Sequence, residues 1–251
     1  MVKKTIKNGK ISKLKESVAC IGFFDGLHLG HQKLIDRTIK EANKLNLTPT
    51  LICFNPDPDD VIKNKDNKHL LSFDYRLDFI RQLGIEQVII IDFDRNLMKL
   101  SALDFIDNYL NKMNIKKLIC GYDFSFGYKG LGNADLLKKY GDFKTIVIPE
   151  YKVNNIKVSS TRIKKEIING NFKDAYSLLG YYYPIVLKVI EKEKQNNKWV
   201  TKASLFYNEC IIPKNGKLKD GSIIKDGYFY LISEQNFRIG QKIAITFTEN
   251  E

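Results

Sequence analysis

Short apolar runs at Val18–Phe24, Thr48–Phe54, Gln87–Phe93, Lys117–Cys120 and Thr145–Ile148 are separated by segments of helical periodicity, and this alternation constrains the fold more than any other feature. After the first run, Leu34, Ile35, Thr38, Ile39, Ala42 and Leu45 mark one helical face. Asp74–Leu83 is helical in pattern and is stopped by Gly84, and Ser101 caps a helix carrying Leu103, Phe105, Ile106, Tyr109 and Leu110. Strands alternating with helices imply a parallel sheet covered on both faces, and right-handed crossovers make it doubly wound. The expected class is α/β, a Rossmann-like doubly wound parallel sheet. The second run ends at Asn55-Pro56-Asp57-Pro58, whose prolines stop the strand, and the polar stretch from there to about Lys68 reads as a long loop.

Further along, Ser159 or Ser160 opens a helix that Gly170 ends, and Asn171 caps another ending at Gly180. Beyond Pro184 the helical period disappears, leaving short strand candidates at Ile185–Ile190, Trp199–Leu205, Tyr228–Ile232 and Lys242–Phe247 joined by Gly, Asn and Lys turns. The expected organisation is a first domain over 1–184 and a small all-β domain over 185–251, near the lower size limit for independent folding.

The formal net charge of +12 invites a nucleic-acid reading, but the lysines are scattered and interleaved with Asp and Glu, so a solvated Lys-rich surface is the better account. Such a surface still favours anionic ligands. The apolar runs fall far short of the roughly 20 residues that span a bilayer, and MVKKTIKNGKISK has no apolar h-region, so neither a membrane anchor nor a secretory signal is expected. Cys20, Cys53, Cys120 and Cys210 have no C-x-x-C spacing and read as small hydrophobes in a reducing, cytoplasmic setting. Oligomeric state is open, and a monomer is compatible with the sequence.

IGFFDGLHLGHQKLI, residues 21–35, holds two of the three histidines, where the first apolar run meets the first helical pattern. Ligands of open parallel sheets bind beyond the carboxyl ends of strands, where this segment falls. Gly22, Gly26 and Gly30 allow positive φ or close backbone approach, so a phosphate can near the N–H groups of the helix start. His28 and His31, three apart, can face one ligand. An H-x-x-H pair could also bind zinc, but a closed site needs four ligands, and only His69, Asp25 or a strand cysteine could add to it; phosphate is the preferred reading.

Gly22-Phe23-Phe24-Asp25-Gly26-Leu27-His28-Leu29-Gly30-His31 resembles the G-x-F-D-G-x-H-x-G-H signature of the bacterial FAD synthetase family, a branch of the HxGH nucleotidyltransferases. Three further segments are similar to that family in the expected order: Phe54-Asn55-Pro56-Asp57-Pro58 to F-x-P-H-P, Gly121-Tyr122-Asp123-Phe124-Ser125-Phe126-Gly127 to G-x-D/N-F-x-F-G, and Val158–Lys164 to I-S-S-T-x-I-R. The resemblance covers about residues 15–183 and implies transfer of AMP from ATP to FMN, with Mg2+, giving FAD and pyrophosphate. It implies an ATP site of Gly22, Phe23, Phe24, Asp25, Gly26, His28, Gly30 and His31 with Ser159, Ser160, Thr161 and Arg162, and catalytic roles for His28, His31 and Lys164. On the flavin side it implies Phe54, Asn55, Pro56, Asp57, Asp123, Phe124, Phe126 and Tyr128, with Phe124, Phe126 and Tyr128 offering faces to the isoalloxazine ring. For any one of Phe124, Phe126 and Tyr128 an ordinary core turn is an equal reading, and an N-cap is the ordinary reading of Ser159. The FMN phosphate, with a second pKa of about 6, is largely dianionic at pH 7 and needs no general base, so His28 and His31 are read as donors. Metal ligands are unassigned.

Three positions depart from the family pattern: Lys164 stands where Arg is usual, Asp57 where His is usual, and Tyr181-Tyr182-Tyr183 where an R-P-Y-like ending is usual. Bifunctional members carry a C-terminal riboflavin kinase barrel with a G-x-P-T-A-N segment and a downstream Glu; residues 185–251 contain no such segment, Ala203–Asn208 being its nearest echo. A shortened barrel without kinase activity is therefore expected. The competing readings are a different HxGH nucleotidyltransferase and a non-catalytic flavin or nucleotide binder.

Overall fold

The computed structural model describes residues 1–63, 67–218 and 220–247. Its first sheet has six strands: β1 (Val2–Ile6), β2 (Ser17–Ile21), β3 (Thr48–Asn55), β4 (Gln87–Asp92), β5 (Ile115–Gly121) and β6 (Lys144–Ile148). All pairings are parallel, in the order β1-β4-β3-β2-β5-β6. The doubly wound expectation therefore holds, and every residue of β2 is buried, as a strand covered on both faces requires.

β1 is an addition to the sequence reading. It pairs with β4 from Val2↔Gln87 to Ile6↔Ile91, yet only Ile6 is buried. Lys3 and Lys4 mark it as a charged edge strand, and such strands lack the apolar run that marks the others.

The connecting helices are α1 (Leu29–Leu45), α2 (Pro58–Lys63), α3 (Phe73–Gln82), α4 (Arg95–Met98), α5 (Ala102–Asn108) and α6 (Ala134–Tyr140). In α1 the predicted face buries Leu34, Ile35, Thr38 and Ala42, while Leu45 at the end is exposed. Each buried Leu or Ile contributes about 1.5–3 kcal/mol of transfer free energy. Ser101 caps α5 as predicted, its Oγ accepting from Asp104 N–H at 3.1 Å. The stretch read as a long loop after Asn55 instead begins with α2. Pro58 fits a first helical turn because its missing N–H would have no partner there, and Asp57 Oδ1 accepts from Asp59 N–H at 2.8 Å. Residues 64–66 of that stretch lie outside the described residues.

After β4 the chain crosses to the other side of β2 to make β5, so the winding reverses between β2 and β5. These two strands run side by side, with Cys20 opposite Ile119, and their carboxyl ends release the Gly22–His28 turn and the Gly121–Gly127 loop next to one another. Ligands of open α/β sheets bind at this kind of crevice.

Contacts divide the chain into two compact units, Met1–Asn67 with Phe73–Lys152, and Lys68–Ser72 with Val153–Glu251. As compact units the division falls near residue 153 and not near 184. The two-residue strands β7 (Lys152–Val153) and β8 (Ile156–Lys157) are followed in the second unit by α7 (Ser160–Ile168), α8 (Phe172–Leu179), and strands β9 (Tyr183–Gln195), β10 (Lys198–Leu205), β11 (Gly216–Lys217), β12 (Ile223–Lys225), β13 (Tyr228–Ser233) and β14 (Lys242–Phe247). The strands from β9 on form an antiparallel sheet in the order β11-β12-β13-β10-β9-β14. The two helices join this unit because they share its core: the Phe172 ring of α8 stacks on Phe247 of β14 at 4.4 Å. Asn171 precedes α8 as expected but does not cap it with its side chain, which donates instead to Glu166 Oε2 at 2.7 Å. No helix among the described residues is long and apolar enough to cross a membrane.

Candidate active site

Beyond β2 the backbone makes an unusual turn. Phe24 has φ +61°, Gly26 φ +77° and Leu27 φ +40°, so two bulky residues adopt the left-handed region beside the one glycine suited to it. Such conformations cost on the order of 1–3 kcal/mol each and persist where surrounding packing enforces them. Here Phe24 and Leu27 are fully buried. Of the three glycines only Gly26 uses positive φ. At Gly30 the reason is proximity, since a Cβ there would lie 3.3 Å from the His28 ring.

His28 is the N-cap of α1: its Nδ1 accepts from the His31 backbone N–H at 3.3 Å, satisfying one of the helix's otherwise unpaired donors. That bond puts the His28 proton on Nε2. The His31 ring stacks on His28 with centroids 3.6 Å apart and planes inclined by 13°, and the Phe24 ring lies 5.2 Å from His31. His31 Nδ1 is buried and has no hydrogen-bond partner among the described residues.

Burial pushes His28 down to about 4, against the opposing pull of the Asp25 and Asp123 carboxylates. Burial and the neighbouring His28 hold His31 well below the usual imidazole range; Asp25 opposes this and Arg76 adds to it. Both rings are thus neutral at pH 7, each offering one N–H at the positive end of a 17-residue helix. Face-to-face rings do not converge on one ion, and among the described residues no group of three metal-ligating side chains includes either histidine. The phosphate reading of the pair fits this geometry; the zinc reading does not.

Sequence reasoning missed Arg76. It lies on α3 and is 5% exposed, on the same buried face as Leu77 and Ile80. Its Nη1 donates to the Phe23 carbonyl at 3.1 Å, and its guanidinium lies 4.6 Å from the Phe23 ring centroid and 5.3 Å from that of Phe73. The available signal was an arginine on the apolar period of a helix, where a solvated charge would not be placed.

The residues expected on the flavin side separate into two groups. Phe54 and Phe126 belong to the core: Phe54 meets Phe93 edge-on at 5.9 Å, and Phe126 lies 5.6 Å from Phe105. For Phe126 the core-turn reading is the one this packing favours. Phe124 is half-buried and stacks on Phe126 at 5.6 Å, Tyr128 is exposed, and Asp123 is exposed beside Gly121, where a Cβ would come within 3.2 Å of its Oδ1. Phe126 and Gly132 pair through both backbone hydrogen bonds, closing the loop that presents these side chains. Asn55, the last residue of β3, joins Pro56 through a cis peptide, and the Asn55 carbonyl accepts from Phe93 N–H at 3.4 Å.

In the second unit, Ser159 is the N-cap of α7, its Oγ accepting from Arg162 N–H at 3.4 Å, and Thr161 is exposed. Arg162 does not stand free: its Nε pairs with the buried Glu166 Oε1 at 2.5 Å, one turn on. Lys164 is half-buried on the same helix.

Fold and turn together define a doubly wound α/β protein with an anion-receptive helix start at its switch point. Residues 10–162 match the FAD synthetase family model, and the chain belongs to that family. It is 33% identical over 205 residues to a bifunctional riboflavin kinase/FMN adenylyltransferase of Listeria monocytogenes, covering 79% of this chain and 65% of that protein. A protein of the same name from Buchnera aphidicola subsp. Acyrthosiphon pisum is 39% identical over 184 residues, covering 71% of this chain and 58% of its own length. The chain thus spans about three fifths of the length of these curated relatives. A crystal structure titled as a macrolide-efflux protein from Streptococcus pneumoniae superposes with a TM-score of 0.84 at 26% identity, covering 100% of this chain and 90% of that one.

Proposed function

We propose that the protein is an FMN adenylyltransferase. An oxygen of the FMN phosphate attacks the α-phosphorus of ATP, the bond to the bridging oxygen breaks, and FAD and pyrophosphate result. The attacking phosphate is already ionised at pH 7, so the chemistry needs two anions aligned and the charge on the α-phosphoryl oxygens and pyrophosphate stabilised. The observation that carries this reading is the neutral, stacked His28–His31 pair at the start of α1, with His31 Nδ1 lacking a partner among the described residues. Neutral imidazoles at this place donate to phosphate oxygens and accept no proton from the nucleophile. ATP enters as its Mg2+ complex, so the ion is part of the substrate; hard oxygen donors suit it, and no protein ligand is assigned.

Asp123, Phe124 and Tyr128 are the flavin-side residues whose placement supports this role, with Asn55, Pro56 and Asp57 at the carboxyl end of β3. The family resemblance supplies a second set of phosphate donors, Ser159, Ser160, Thr161, Arg162 and Lys164, at the start of α7. The functional adenylyltransferase segment is then 1–184, acting in the cytoplasm on small-molecule substrates.

Riboflavin kinase activity is absent on this reading. Where the kinase motif has its nearest echo, Ala203–Leu205 lies in β10 after a register shift against β9 between Lys202 and Ala203, and backbone further on is paired: His69 N–H donates to Glu209 O at 2.7 Å and Ile211 N–H to His69 O at 2.8 Å. Incubation with FMN, ATP and Mg2+ should give FAD and pyrophosphate in equal amounts, while riboflavin and ATP should give no FMN. Tight FMN binding without turnover would replace the enzyme by a non-catalytic binder, and robust FMN formation would restore the kinase.

A further inference from the structure

Arg76 stands outside every motif of the sequence, yet it is a buried cation packed directly against the turn. A buried guanidinium is costly unless its donors and its charge are used. In this structure one donor is committed to a backbone carbonyl of the Gly22–Gly26 turn, and the planar face is committed to the aromatic ring of the same residue, Phe23. Phe73, one turn earlier on α3, closes the other contact at 5.3 Å. The strained residue Phe24 follows Phe23 directly and packs on His31, so whatever fixes Phe23 fixes the position from which the two imidazoles are presented.

We propose that Arg76 is the positioning residue of this site: its guanidinium fastens the carbonyl and ring of Phe23, holds the strained turn that aims His28 and His31, and brings a positive charge to that turn. The inference deepens the adenylyltransferase reading, on which it rests, by naming what orders its phosphate donors. Lysine cannot substitute, because it has neither the planar fork nor the stacking face. The charged and titratable groups facing His31 are His28 and Asp25 from the turn and Arg76 from α3, and Arg76 is among the forces that keep the His31 ring neutral. His28 answers instead to Asp25 and Asp123. Loss of the Arg76 charge should therefore raise the titration midpoint of His31.

The test uses the full chain with Arg76→Met and Arg76→Lys. Imidazole titrations followed by NMR without substrates read the charge; kcat and KM for ATP read the positioning. In Arg76→Met the His31 midpoint should move up, and kcat should fall about tenfold to a hundredfold, the range expected for a misplacement near 1 Å. Arg76→Lys should keep the His31 midpoint and still lose most of the activity. An unmoved His31 midpoint in Arg76→Met, or wild-type kcat and KM in Arg76→Lys, overturns the proposal. If Arg76→Met does not fold, the Lys variant decides alone, since retained activity refutes the need for the fork. The NMR arm does not depend on turnover, so failure of the wild-type chain to make FAD would sink the adenylyltransferase reading while the His31 titration still decides the role of the Arg76 charge.

Discussion

Gly30→Ala separates stability from activity. Gly30 is the second residue of α1, and a Cβ there would lie 3.3 Å from both Cε1 and Nδ1 of His28. Unstrained carbon contacts fall at about 3.5–4.0 Å, so the ring must retreat by a few tenths of an ångström. His28 has little freedom to do so, because it already stacks at 3.6 Å on His31 and its Nδ1 is bonded to the His31 N–H. Alanine in a helix is favoured over glycine by about 0.8–1 kcal/mol, which offsets the crowding in the global balance. The expected result is a melting temperature unchanged or slightly raised, with kcat for FAD formation lowered about tenfold to a hundredfold. That corresponds to roughly 1.4–2.7 kcal/mol in the barrier. Thermal melts and steady-state kinetics on one preparation measure both. Wild-type kcat would show that the stacked geometry is not required, and a loss of activity that tracks a loss of stability would show that only folding was perturbed.

His28→Ala and His31→Ala should each lower kcat on the order of a hundredfold or more, about 2.7–4 kcal/mol for one preorganised donor, with circular dichroism unchanged; unaltered rates would remove the donor mechanism. Because burial depresses His28 to about 4 from an unfolded value near 6.5, the unfolded chain takes up the proton first as pH falls. The associated stability is therefore complete above about pH 6.5 and lost progressively toward pH 4, and the His28→Ala variant should lose that part of the dependence in denaturant titrations. An ordinary His28 midpoint near 6.5 by NMR would contradict the buried, neutral pair. Burial pushes Cys20 and Cys53 up to about 12 and Cys120 up to about 11, whereas Cys210 is only partly buried. A thiol reagent should accordingly modify one cysteine quickly in the native protein, and rapid modification of three or four would refute the packing of the strand thiols.

Much of the molecule was legible locally. The five apolar runs became strands, Ser101 and Ser159 became caps, Gly170 and Gly180 ended their helices with φ of +77° and +78°, and the histidine turn stands at the carboxyl end of β2. Such features depend on neighbours three or four residues apart, and their periods and side-chain chemistry are written in the chain itself. The tertiary structure decided the rest. β1 is a strand only because β4 offers its edge, and Phe54 and Phe126 are core residues only because Phe93 and Phe105 are brought against them. Helices α7 and α8 join the β unit through a contact between residues 75 positions apart, Phe172 and Phe247. The protonation state of the histidines belongs to this second group as well. His28 and His31 are spaced by the sequence, but burial makes them neutral and Arg76, 45 residues beyond His31, pins the turn that carries them. Desolvation and charge act through space, so the sequence named the two histidines and only the packed fold set their charge and placement.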